Sequence, residues 1–115
     1  MTKEDSLLIT KEIINALEDK KAEDIKTLDI SNVSVMADYF IIASGNNRNQ
    51  IQAIADNVSE KLHKTGHDLK QIEGYETANW VLMDYGDVIV HIFDKDNRLF
   101  YDLERIWSDG KEVVV

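Results

Sequence analysis

The sequence predicts an α/β fold, a single mixed β-sheet of about five strands flanked by helices, formed as one domain over residues 1–115. Three observations carry this prediction. Apolar periodicity switches between helical and strand spacing in the order α-β-β-α-β-β-β-α. At 115 residues and 43% hydrophobic content the chain can close one core. It also has no proline, no repeat and no low-complexity linker to mark a boundary.

The opening segment "TKEDSLLITKEIINALEDKKA" reads as an amphipathic helix, with Thr2 and Asp5 at capping-box spacing and Leu7, Ile9, Ile13, Ala16 and Leu17 gathered on one side. A first strand is expected from Ile25 to Ile30, and "SNVSVMAD" reads as a loop. "YFIIAS" is continuously apolar, the pattern of a strand covered on both faces. In "GNNRNQIQAIADNVSEKLHKTG", Ile51, Ile54, Ala55, Val58 and Leu62 follow helical spacing, with Asn47 or Asn49 as the cap and Gly66 just past the end.

"DLKQIEG" is a short strand candidate. Two longer strands follow, Asn79 to Asp84 and Val88 to Phe93, turned at "DYGD", where Gly86 can supply a positive φ. "NRLFYDLERIWSDG" sets Leu99, Leu103, Ile106 and Trp107 at helical spacing and stops at Gly110. The tail "KEVVV" is too short to assign.

Composition narrows the function. Acids outnumber bases 22 to 13, a net charge of −9, whereas a grip on nucleic-acid backbone needs clustered Lys and Arg. Direct nucleic-acid binding is therefore not expected, and a basic partner is. No apolar run approaches a bilayer span. The start "MTKEDSLL" lacks the pattern of a secretory signal. The absence of cysteine rules out disulfide and zinc-thiolate sites. A cytoplasmic location is expected.

Catalytic candidates are sparse. Ser44 at a strand end, with His91 and Asp84 or Asp87 on the hairpin, could be cast as nucleophile, base and orienting acid, but "ASGN" is not the GxSxG elbow and the spacing singles out none of them. "SGNNRNQ" could hold an anion at a helix start, yet it has one glycine and reads better as a cap. His63 and His67 are four apart with Gly66 between them, which breaks a shared helical face. No metal site and no cofactor are expected.

The hairpin "WVLMDYGDVIVHIF" is the best candidate for recognition. Alternation puts Trp80, Leu82 and Asp84 on one face and Val81, Met83 and Tyr85 on the other; on the return strand Val88, Val90 and Ile92 oppose Ile89, His91 and Phe93. With both faces this apolar, the second must be covered or form a contact surface. Trp80, Tyr85 and Phe93 are residue types enriched at binding hot spots.

"ADYFIIASGNNRNQIQAIADNV", "EGYETANWVLMDYGDVIVHIF" and "FYDLERIWSDG", in this order, are similar to the ribosomal silencing factor family, also called Iojap or Iojap-like proteins. The similarity runs from about Ile25 to Gly110. It implies an α/β fold related to nucleotidyltransferases without their catalysis. It further implies binding to the large ribosomal subunit through that subunit's fourteenth protein, at the face where the small subunit docks, so that joining is blocked and translation falls when nutrients are scarce.

Nucleotidyltransferases carry Gly-Ser at a helix start and two metal-binding acids one residue apart. Here the order is Ser44-Gly45, and Asp84 and Asp87 have two residues between them, which argues against retained activity. The expected contact set is Trp80, Leu82, Asp84, Tyr85 and His91, with Arg98 and Tyr101 at the rim. Two other readings follow from the same segments: a nucleotide- or metal-dependent transferase using "SGNN" and the hairpin acids, and a homodimer paired through the exposed hairpin.

Overall fold

A computed structural model describes residues 2–102 and 110–113 of the chain, with residues 99–101 described at the level of the backbone. The elements run α1 (Lys3–Asp19), β1 (Glu23–Asp29), β2 (Tyr39–Gly45), α2 (Arg48–Lys64), β3 (Gln71–Glu73), β4 (Trp80–Asp84), β5 (Val88–Asp94), α3 (Lys95–Tyr101) and β6 (Lys111–Glu112). The strands form one sheet in the order β3-β4-β5-β2-β1-β6. Among the described residues only β2 and β5 pair in parallel, with Ile42 beside His91 and Ser44 beside Phe93; the other pairings are antiparallel. The expected mixed α/β sheet is thus the observed one, with a sixth strand added where the short tail had no assignment. Of the helix expected through Leu99, Leu103, Ile106 and Trp107, the first turns form α3, and residues 103–109 lie outside the described part of the chain.

Local chemistry explains the helix ends. The Thr2 side chain accepts from the Asp5 backbone N–H while the Asp5 carboxylate accepts from that of Thr2, so two N–H groups that the helix leaves unpaired are satisfied reciprocally. Asn47 caps α2 by accepting from the Gln50 N–H at 2.8 Å. Past its last turn, Gly66 takes φ +90, a conformation glycine adopts without strain.

Both long helices lie on one side of the sheet. Ile9, Ile13, Ala16 and Leu17 of α1 meet Ile51, Ile54, Ala55, Val58 and Leu62 of α2 over Ile41, Ala43, Val81, Met83, Val90 and Ile92 from the strands, and all are buried. Every residue of β2 is buried, as its continuous apolar run requires. On the other side Phe40, Ile42, Phe93 and Leu28 form a second cluster with Ile30 and Ala37 of the β1–β2 loop, against which Trp80 and Ile89 pack. The side chains of the same three central strands therefore feed two apolar layers, and the layer on the side away from α1 and α2 positions the candidate site.

Candidate partner-binding face

The strand register assembles the face. Antiparallel pairing sets Trp80 opposite Phe93, Leu82 opposite His91 and Asp84 opposite Ile89. Gly86, at φ +93, allows the tight turn between these strands, as expected, and its N–H donates to the Asp84 carboxylate at 2.7 Å. Alternation then sends Val81 and Met83 under the helices and leaves Trp80, Leu82 and Asp84 half-buried on the opposite side, with Ile89 beside them.

An aromatic stack forms the floor. The Trp80 and Phe93 rings lie 5.1 Å apart in a stacked arrangement, and Phe40 meets His91 edge-on at 4.8 Å. The indole N–H of Trp80 donates to Nδ1 of His91 at 3.0 Å. A nitrogen that accepts cannot carry the proton, so the neutral imidazole holds it on Nε2, which is buried without a hydrogen-bond partner among the described residues. Burial pushes the His91 pKa down to about 4, and the ring is neutral at pH 7.

Two of the expected contact residues are not at the surface. Tyr85 is 3% exposed and belongs to the helix-side core; it continues the alternation of Val81 and Met83, and that side is the one α1 and α2 cover. Burial, with the Asp68 carboxylate adding to it, pushes its phenol well above the ordinary tyrosine range. His91 is 4% exposed and lies beneath Trp80. Trp80, Leu82 and Asp84 do come together at the surface. Arg98, half-buried on α3, donates from Nη1 to the Ser44 hydroxyl at 2.8 Å, and Ser44 lies across the sheet in the same row as Phe93 and Trp80. The Tyr101 side chain lies outside the described part.

The catalytic arrangement weighed from the sequence is not assembled. Ser44 stands at the end of β2, while Asp84 and Asp87 flank the turn that precedes β5. Because β2 and β5 run parallel from Tyr39 beside Val88, the serine and the turn are separated by roughly 16 Å of strand. His91 lies between them, engaged with Trp80 rather than Ser44. His63, on the exposed last turn of α2, pairs with Asp68, and His67 falls beyond Gly66.

These features define a class: an α/β protein presenting an aromatic β-hairpin on the side of its sheet away from helices α1 and α2. The family model described as "Ribosomal silencing factor during starvation" matches residues 3–115, taking in helix α1 as well as the stretch from Ile25. The ribosomal silencing factor of Bacillus subtilis is 47% identical over 95 residues, 83% of this chain and 80% of that protein. The chloroplastic Iojap protein of Arabidopsis thaliana is 30% identical over 109 residues, 95% of this chain and 45% of that longer one. A crystal structure of a Chromobacterium violaceum protein superposes with a TM-score of 0.87 at 40% identity, covering 89% of this chain and 85% of that one. The chain belongs to the ribosomal silencing factor family.

Proposed function

We propose that this protein represses translation by occupying the joining face of the large ribosomal subunit, docking through the β4–β5 hairpin on that subunit's fourteenth protein. It acts as one domain in the cytoplasm, by steric occupancy and without chemistry: the bridges between subunits cannot form where it sits. Family membership supports the ribosomal setting, and the starvation named in the family description supports nutrient limitation as the circumstance.

The observation that carries the reading is the half-open row of Trp80, Leu82 and Asp84 over a buried aromatic floor. An indole fixed by a hydrogen bond loses little freedom on binding, the property of an anchor residue. The net charge of −9 suits a basic ribosomal protein, since opposite charge accelerates encounter.

Sucrose-gradient profiles of ribosomal subunits, with and without the purified protein, test the proposal. Joined particles should give way to free subunits, with the protein travelling alongside the large one. A folded Trp80→Ala variant should lose that co-sedimentation; its retention would remove the hairpin from the interface, and undisturbed joining would defeat the steric mechanism.

A further inference from the structure

The β1–β2 loop, residues 30–38, carries the most exposed apolar side chains described. Val35 is fully exposed, Met36 is 81% exposed, and Val33 beside them is 44% exposed. Such side chains in a tight cluster mark a contact surface more often than scattered ones do. This loop is also held in place. Ser34 N–H donates to the Ile30 carbonyl at 2.8 Å, and Met36 N–H donates to the Ser34 hydroxyl at 3.1 Å. At its base the Ile30 N–H donates to the Asp38 carbonyl, the Asp38 N–H donates to the Asp87 carbonyl in the hairpin turn, and Lys3 bridges Asp29 and Ser31.

Position decides what the loop can do. Ile30 and Ala37, near its two ends, are buried in the same cluster against which Trp80 and Ile89 pack, and the Asp38–Asp87 bond fastens it to the hairpin turn. Val35 and Met36 therefore rise from the edge of the face that carries the indole.

We infer that this loop is a second anchor of the partner-binding face, with Val35 and Met36 entering an apolar depression on the same basic large-subunit protein that the hairpin grips. The inference rests on the hairpin reading and adds to it a second, separable part of the interface. The occupant is that protein rather than a second copy of the chain: around the loop and hairpin turn Asp29, Asp38, Asp84 and Asp87 outnumber Lys3, which pairs with Asp29, and Lys70, which lies over Gly86, so the edge stays acidic, two copies would bring like charge together, and a basic surface complements it.

The test compares three variants by equilibrium binding to purified large subunits and by sedimentation velocity of the protein alone. A Val35→Ser/Met36→Ser double variant alters only exposed side chains, so the fold is preserved. It should weaken binding about tenfold, roughly 1.4 kcal/mol, with sedimentation unchanged. Leu8→Ser, a change at another exposed apolar side chain, on α1 at 62% exposure, should bind as the parent does. Parental affinity in the double variant beside loss of binding in Trp80→Ala would overturn the second anchor alone. Retained binding in Trp80→Ala would instead strike the hairpin reading. Loss of self-association in the double variant, with subunit binding intact, would assign the loop to a dimer and overturn the inference.

Discussion

The indole N–H of Trp80 is bound to the one ring nitrogen of His91 that can receive it only while the imidazole is neutral. Protonation would put a second hydrogen between two donors. The buried histidine thus ties the posture of the surface tryptophan to its own charge state, and it gives the fold a defined pH response.

That response has a fixed sign. The folded pKa of His91 lies at about 4, below the 6.5 of the unfolded chain, because burial disfavours the charged ring. Between these values the unfolded chain binds more protons, so stability from this group is complete above pH 6.5 and declines as pH falls toward 4. The loss across that window is on the order of 3 kcal/mol. Denaturant titrations at pH 7, 6, 5 and 4 on the parent and on His91→Phe check it: the variant should have a flatter profile over this interval, and parallel profiles would refute the linkage.

Tyr85 supplies a prediction of opposite direction. Its hydroxyl is buried and lacks a hydrogen-bond partner among the described residues. Tyr85→Phe should therefore stabilise the protein by about 1 kcal/mol, the cost of a polar group taken from water without compensation. Thermal melts measure the gain. Co-sedimentation with the large subunit should be unchanged, since the phenol is under α1 and α2 rather than at the surface; weaker binding would return Tyr85 to the contact set.

How far such features could be read beforehand differs by element. Helices α1 and α2 were legible because their caps and apolar spacing agree, and the hairpin turn was legible because Gly86 needs positive φ. The side to which Tyr85 belongs was correctly tied to Val81 and Met83 by alternation. Which side the helices cover was not legible, since Trp80 and Leu82 make the other row equally apolar. The hydrogen bond from Trp80 to His91 needs a register, Leu82 opposite His91, that hydrophobic pattern alone leaves free. Strand β6 has only two residues and exists by pairing with Leu28 and Asp29 of β1, so nothing in "KEVVV" could announce it. The bulge in β1 was equally hidden: an extra residue intervenes between the pairs Glu23 with Ser44 and Lys26 with Ile42, and Asp24 takes φ 51, which an aspartate tolerates without a sequence signal.

Ser44 separates a structural role from a chemical one. It is buried, and its hydroxyl accepts from the Arg98 guanidinium across the junction of α3 with the sheet. Ser44→Ala should cost about 2 kcal/mol, the scale of a hydrogen bond to a charged group, while leaving large-subunit binding within twofold of the parent. Chemical denaturation and subunit binding on the same preparation read both. Parental stability would mean the guanidinium engages other acceptors equally well, and full stability with lost function would reopen a direct role for the hydroxyl.

Gly74 tests whether the hairpin is held rigidly enough to act as an anchor. It sits at φ +77 where the chain turns back toward β4, and a Cβ there would lie 2.1 Å from the Trp80 carbonyl oxygen. That oxygen is backbone, so a longer side chain cannot be accommodated by a rotamer change; the start of β4 must move. Gly74→Ala combines this clash with left-handed strain, together about 2 to 4 kcal/mol. The displaced carbonyl belongs to the residue whose indole is fixed to His91, so the damage should reach the binding face: the denaturation midpoint should fall, and affinity for the large subunit should fall even at temperatures where the variant stays folded. If affinity holds while stability drops, the indole tolerates movement of its own backbone, and the fixed posture of Trp80 is not what gives the face its grip.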